Sequence, residues 1–336
     1  MKDYSSIVVS SKVRLLRNLN GFRFPSHFQG DEGIKVLNKI ADSILKFDEE
    51  FKLYKTGSLP ELDLNIMHEK RLISNLMLDE NNYSAVLLSQ SEDVSIMINE
   101  TEHIVETCEI SGLNLINAYD RINVIDNQIL SKLDIAYDDS IGFLTSSIAS
   151  VGTGLKASIS LFIPALTIMS RIREISSFVS SQGYEFSSLI DGESESHAYT
   201  YTISNVQTIG KKETDFVVKV SEIALKICDM EIRARNDLLQ AHNVDKIKDK
   251  VFRAWGILTN CYQISYIEAE GLLGDLKMGV ALDIIRFKEV DFIEHLMIDV
   301  LPYSLTKISG SKITMAELEK YRAKFLANIL KVKRIK

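Results

Sequence analysis

Proline and cysteine are both scarce in this chain: four prolines and three cysteines in 336 residues, with only 16 glycines. So little Gly and Pro excludes a collagen-like repeat and argues against a long disordered tract. Cys108, Cys228 and Cys261 stand far apart with no C-x-x-C pair. That excludes a disulfide framework and a paired-cysteine zinc site, and an odd set of single thiols suits a reducing, cytoplasmic setting. No apolar run approaches the roughly 18 residues of a membrane span, so no membrane association is expected. The longest run, near 161–169, is interrupted by Pro164. The opening MKDYSSIVVS is too short and polar for a signal peptide. Positive charge is not in excess either. Lys and Arg number 39 against 46 Asp and Glu, a net charge of −7, and nucleic-acid binding is not expected from it. The basic end, KVKRIK, reads as the solvated end of a terminal helix. What remains is 46% hydrophobic and 25% charged, the composition of a soluble globular protein with room for two domains.

Hydrophobic spacing sets the expected elements. Residues 7–9 are extended and lead into a basic segment. Ile34, Val36, Leu37, Ile40, Ile44 and Leu45 recur at helical spacing over 31–48. Two apolar runs, 84–90 and 94–99, are broken by Ser91-Glu92-Asp93 and predict a hairpin. Residues 114–133 predict an amphipathic helix, and 155–177 another, bent near Pro164. Tyr199, Tyr201 and Ile203 alternate through 198–205 as in a strand. Residues 213–241 read as a long helix. Beyond HNVDKIKDK the pattern is helical throughout, over 250–262, 265–274, 278–287, 290–297 and 314–332. The expectation is an α+β protein: a mixed domain over 1–240, then an all-helical domain over 241–336, without repeats or a low-complexity linker.

Three short stretches carry candidate chemistry. Val151-Gly-Thr-Gly-Leu-Lys156 places two glycines before what reads as a helix start, where free N–H groups suit a phosphate. The P-loop spacing G-x4-G-K-[ST] is absent. In SSKVRLLR, Lys12 and Arg14 lie two apart, on one side of a strand, and can clamp a polyphosphate. In INETEHIVE, Glu100, Glu102 and His103 follow a strand, where carboxylates and a histidine can act as bases. Taken alone, each admits a plainer account: a structural turn, a solvated edge strand, a polar loop.

Order and spacing together resemble the ATP:guanidino phosphotransferases, most closely the bacterial protein-arginine kinases. The stretches that carry the resemblance are SSKVRLLRNL, HEKRLIS (68–74), VSIMINETEHI (94–104), GFLTSSIASVGTGLKAS (142–158), YTISNVQTIGKKE (201–213) and AWGILTNCYQISYIEAEGLLGDLKMGV (254–280). The resemblance implies a cleft over an antiparallel sheet flanked by helices, followed by the all-helical domain. It implies Mg-ATP, with no metal ligands of the chain's own, and transfer of the terminal phosphoryl group to a guanidinium nitrogen. In the bacterial branch that nitrogen belongs to protein arginine. It further implies a homodimer through the helical domain, and a stress-response setting with a zinc-binding activator, a heat-shock repressor and the Clp protease.

At the implied site this sequence departs from the family. The nucleotide half falls on Ser10, Ser11, Lys12 and Arg14, on Arg71, on Lys156 with Ala157 and Ser158, and on Ser187. Of the family's arginines there, only Arg14 remains. Lys12 and Lys156 stand for two others, and Val105 and Ser187 for the rest. Lysine attracts phosphate but lacks the bidentate fork. On the guanidinium half, the family's Asn-Glu-Glu-Asp-His reads Asn99-Glu100-Thr101-Glu102-His103. The family's catalytic base is thus Thr101, whose neutral hydroxyl cannot pair with a guanidinium as a carboxylate does. The family's cysteine falls on Ser147, neutral where a thiolate carries charge. The loop glutamate falls on Gly192, with Glu193 beside it. In the helical domain the phosphoarginine motif falls on Leu318, Glu319, Arg322 and Ala323, with its first arginine lost. Scaffold stretches such as GTGL, TISN and DLKMGV persist. The expected function is therefore a protein-arginine-kinase-like protein with weak or no transfer, acting through binding. The alternatives are an active kinase with a rearranged site using Glu193, and a protein holding another phosphorylated ligand with Lys12, Arg14 and Lys156. A closed apolar cleft at Val105 and Ser187 favours the first reading; Glu193 beside Thr101 favours the second.

Overall fold

The structure is a computed structural model and describes residues 4–47, 50–79, 81–188, 198–240, 244–289, 291–310 and 313–335. The chain forms two compact units, one of residues 1–161, 174–187 and 202–226, the other of 162–173, 188–201 and 227–336.

The first unit is built on β1 (Val8–Arg17), in which buried Val13 and Leu15 alternate with Lys12 and Arg14. That period of two gives the strand one apolar and one polar face. It pairs antiparallel with β5 (Ile104–Ser111) on one side and β8 (Leu155–Phe162) on the other. The expected hairpin forms as β3 (Ala85–Leu88) and β4 (Val94–Ile98). With β2 (Lys52–Lys55), β9 (Tyr184–Ser188) and β10 (Thr200–Asn205), the eight-stranded sheet runs in the order β2-β3-β4-β5-β1-β8-β10-β9. A small hairpin of β6 (Tyr137–Asp138) and β7 (Gly142–Phe143) stands apart.

Helices cover one face of this sheet. Leu115, Ala118, Ile122, Ile125 and Ile129 recur at three and four along α3 (Leu115–Lys132) and are buried, which packs the helix on β1 and β5. Each of the leucine and isoleucine side chains contributes about 1.5–3 kcal/mol on burial. Against α3 lies α1 (Glu32–Phe47). A short helix, α2 (Glu61–Glu69), lies on the chain between β2 and β3.

The stretch 155–177 is not a bent helix. It is β8, then α4 (Pro164–Ile168), and then α5 (Ile172–Ser181). Leu155, Ala157, Ile159 and Leu161 are buried while Lys156 is exposed. This is a strand period, hidden in the sequence because Ser158 and Ser160 are small enough to sit in either pattern. The Gly-Thr-Gly turn therefore opens a strand, and no helix start stands behind it to receive a phosphate. Its glycines answer packing. Gly154 has φ +63°, and a Cβ there would lie 2.7 Å from the Leu16 carbonyl oxygen.

Residues 213–240 form one helix, α6 (Glu213–Gln240). The second unit gathers α7 (Val244–Asn260), α8 (Tyr266–Ala281), α9 (Phe292–Asp299), α10 (Pro302–Ser309) and α11 (Met315–Lys333). The helix expected at 265–274 is α8, which runs on unbroken to Ala281, whereas the helix expected at 278–287 does not form: residues 282–287 are turn and an isolated bridge. In α8, Gly279 is tolerated because it admits Val251 of α7, whose Cγ1 would lie 2.5 Å from an added Cβ. Helix α10 has no counterpart in the sequence reading. No helix among the described residues is long and apolar enough to cross a membrane.

Candidate functional site

The polar face of the sheet is the implied cleft, and strand register decides which side chains meet there. Lys12 lies opposite Glu109 of β5 and Ser158 of β8; Arg14 lies opposite Thr107 and Lys156. Ser10, Lys12, Arg14 and Lys156 thus share one face, as the resemblance requires. The structure adds a carboxylate to each cation. Lys12 Nζ is 3.3 Å from Glu109, Arg14 Nη2 is 3.0 Å from Glu100, and Lys156 Nζ is 3.2 Å from Glu185. Ser10 donates to Glu109 at 2.7 Å, and Ser204 to Glu185 at 3.1 Å. Arg71, in a left-handed backbone (φ 61°), alone of the four cations makes no ion pair with a described residue.

Other nucleotide positions serve the scaffold. Ser11 donates to the Gly112 carbonyl. The Ala157 amide donates to Asn205, and Ser158 to the Lys12 carbonyl at 3.4 Å. Ser187 is exposed on β9. Val105 is 0% exposed and packs with Leu16, Leu72, Ile73, Met77 and Met97. An apolar cluster thus surrounds the position that the resemblance gives to an arginine. Residues 189–197, with Glu193, lie outside the described residues, so its place beside Thr101 is not part of this geometry.

The guanidinium half is occupied by its own hydrogen bonds. Glu100 has a side chain only 2% exposed. It pairs with Arg14 and accepts from the Thr101 amide at 2.7 Å and the Thr101 hydroxyl at 2.6 Å. Burial alone would raise its carboxyl, but Arg14 and the hydroxyl donors outweigh that and hold it below the usual range. Glu102 is buried and accepts from Asn18 at 2.5 Å and from the Ser146 amide and hydroxyl. These bonds place Thr101 and Ser147 on neighbouring loops. Ser147 is exposed and leads a single 3-10 turn, Ile148–Ser150. His103 accepts from the Leu19 amide at Nδ1, so Nε2 carries the proton towards the Arg23 carbonyl, 2.7 Å away. Burial lowers its pKa, and the ring stacks on Phe28. It is a neutral core residue, not a base facing a substrate.

In the helical unit, Arg322 is buried. Its Nε donates to the Val300 carbonyl at 2.9 Å and its Nη1 to the Ile264 carbonyl at 3.0 Å. The neighbouring Glu319 carbonyl accepts from the Ile264 amide. Arg322 thus acts as a strut between α11 and two turns. Replacing it with Met is expected to cost about 2–4 kcal/mol by orphaning those carbonyls. Denaturant unfolding reads this directly, and a loss under about 0.5 kcal/mol would contradict the strut.

Glu109 and Glu185 were not singled out in the sequence. A signal existed for Glu109: it is two and four residues from Thr107 and Val105, so a strand turns all three to one face. For Glu185 there was none, because β9 meets Lys156 only through the sheet order.

The ATP:guanido phosphotransferase C-terminal catalytic domain family matches residues 34–234, and the protein-arginine kinase McsB C-terminal domain family matches residues 244–336. The protein-arginine kinase of Bacillus subtilis is 32% identical over 326 residues, 95% of this chain and 88% of that one. That of Bacillus cereus is 34% identical over 336 residues, 98% and 94% of the two chains. That of Clostridium tetani is 31% identical over 329 residues, 98% and 96%. A crystal structure of lombricine kinase superposes with a TM-score of 0.60 at 20% identity, over 69% of this chain and 67% of that one. The duplicated taurocyamine kinase of Schistosoma mansoni gives 0.64 at 21% identity, over 79% and 40%. At these identities the structural likeness is one of fold.

Proposed function

Because this chain belongs to the ATP:guanido phosphotransferase family, as a divergent relative of the bacterial protein-arginine kinases, we propose that it keeps the kinase scaffold as a binding protein and transfers phosphoryl groups to arginine weakly or not at all. The observation that carries this reading is the engagement of Thr101 and its neighbours. Transfer to a guanidinium needs a carboxylate free to orient and deprotonate it. Position 101 offers a hydroxyl that is itself bound to Glu100. Glu100 is held by Arg14, and Glu102 by Asn18 and Ser146.

The residues present also fit Mg-ATP poorly. Nucleotide phosphates would have to compete with Glu109, Glu100 and Glu185 for Lys12, Arg14 and Lys156, and Val105 offers them nothing. Phosphoryl transfer depends on positioning and on electrostatic stabilisation of the moving group, and both are reduced here.

The test is a phosphoarginine assay on an unfolded protein substrate with Mg-ATP. No turnover, or turnover far below the 1–100 s⁻¹ typical of kinases, is expected. Turnover in that range would overturn the reading, and its loss in Glu193→Ala would then assign the base to Glu193. By the same family resemblance we place the protein in the cytoplasm as a homodimer. It would meet a zinc-binding activator, a heat-shock repressor and the Clp protease through its surface rather than by modifying them. Sedimentation analysis and pull-down with each purified partner test these contacts.

A further inference from the structure

We propose that the Glu109 carboxylate is a built-in anion that occupies the phosphate donors of the cleft and so decides what the site accepts. This rests on the reading above that the cleft no longer handles Mg-ATP as a kinase does. It adds which residue is responsible.

The geometry is specific to Glu109. In the β1–β5 register it lies directly opposite Lys12. It accepts from Ser10 at 2.7 Å and pairs with Lys12 at 3.3 Å, and it sits in the field of Arg71. Those three residues are ones the family resemblance gives to nucleotide phosphates; here Ser10 and Lys12 contact one carboxylate, and Arg71, unpaired among the described residues, acts on it through its charge alone. A carboxylate presents the same acceptor oxygens and the same sign of charge as a phosphoryl group. An arriving phosphate must either strip Glu109 of its partners or lie beside a like charge in a partly desolvated cleft. Burial alone would raise the Glu109 carboxyl, but Lys12, Arg71 and Ser10 together hold it below the usual range. It therefore stays ionised at any pH near neutral.

Room for a phosphate lies alongside. A cleft of ≈ 160 Å³ opens there, lined by Lys70, Arg71, Ser95 and Thr107 and by the carboxylates Glu92, Asp93 and Glu109. The Thr107 hydroxyl is buried without a hydrogen-bond partner among the described residues, and so is Arg14 Nε on the directly opposed residue. Of the three carboxylates, Glu92 is paired with Lys70 and Asp93 with Arg121, so Glu109 is the one that engages a cation of the phosphate face. Glu185 is a weaker obstacle. Its pair with Lys156 is about half exposed on both sides, whereas the Glu109 and Lys12 side chains are 26% and 32% exposed. Solvent screens the former more.

The experiment is calorimetric titration of inorganic pyrophosphate into the full chain, as wild type, Glu109→Gln, and Glu109→Gln with Lys12→Met. Gln keeps the size and an acceptor for Ser10. The single variant is expected to bind pyrophosphate ~10-fold tighter than wild type, with the gain shrinking as salt rises. The double variant is expected to lose that gain. A change of less than about threefold, or a gain that survives Lys12→Met, overturns the proposal. Should Glu109→Gln fail to fold by circular dichroism, Glu109→Met is read in the same way. Arginine phosphorylation by the wild type would sink the functional reading but leave this affinity ratio to decide the role of Glu109.

Discussion

Arg17→Met is expected to destabilise the protein by about 3–5 kcal/mol and to lower its melting temperature by roughly 10 °C. No atom of the Arg17 side chain reaches solvent. Its Nε and Nη2 form a fork with Asp126, at 3.0 and 2.8 Å. Nη1 donates to the Leu16 and Thr153 carbonyls, Nη2 approaches Glu213 at 3.4 Å, and the guanidinium lies 3.7 Å over the Phe143 ring. One side chain thus ties β1, α3, the start of α6 and the Gly-Thr-Gly turn together. Removing it leaves Asp126 buried without its ion partner and two carbonyls unpaired, which is the costly way to break a buried pair. Asp126→Asn in the same chain should return part of the loss, because the orphaned charge goes with it. The double-mutant cycle should show a coupling of about 1–3 kcal/mol. If Arg17→Met melts within a degree or two of wild type, the buried fork is not what holds the turn.

Arg17 also shows how far sequence alone reaches. SSKVRLLR displays three cations, and the strand period already separates Lys12 and Arg14 from Arg17, on opposite faces of β1. The polar face of β1 was legible for that reason, and the departure at Thr101 stood out because a motif of fixed order showed which position differed. The hairpin, α1, α3 and α6 were legible from periodicity over ten or more residues or from a clean break between two apolar runs. The error at 155–162 came from small serines on the polar side of a strand, which leave a period of two and a helical period equally consistent. What the carboxylates do was hidden for a different reason. Glu109, Glu100 and Glu185 meet their cations only because β5, β1, β8, β10 and β9 lie in that order. Arg14 and Glu100 are 86 residues apart. No local pattern encodes such a pair, so a cleft that looked merely depleted of arginine proved to be internally neutralised.

Glu106→Gln is expected to raise stability, and to raise it more as pH increases. Glu106 lies on β5 three residues before Glu109, an odd spacing that sends the two carboxyls to opposite faces of the sheet. On the helix-covered face Glu106 is fully buried, and no described group donates to either of its oxygens. Burial and the nearby Asp126 charge raise its pKa well above the ordinary carboxyl value, more than Arg17 can lower it. The folded protein therefore keeps this proton where the unfolded chain has released it. Below about pH 4 both states are protonated and the group costs nothing. As pH rises from there towards the folded-state pKa, folding must hold a proton that solvent would otherwise take. Stability then falls by about 1.4 kcal/mol for each unit by which the folded pKa exceeds the unfolded one. Glutamine has no proton to lose, and its amide can still donate to Asp126 as the protonated acid does. Melting curves of the two proteins should nearly coincide at pH 4 and separate steadily to pH 8, with Glu106→Gln the higher. Parallel curves, or a variant that falls below wild type at pH 8, would mean that Glu106 is ionised in the fold and that Arg17 serves two carboxylates at once. The same strand would then carry a charge on each face. The expected result instead leaves one neutral acid sealed under α3 and one acid facing the cleft that is charged near neutral pH, so that the electrostatics of the site depend on Glu109 while those of the core stay with Arg17 and Asp126.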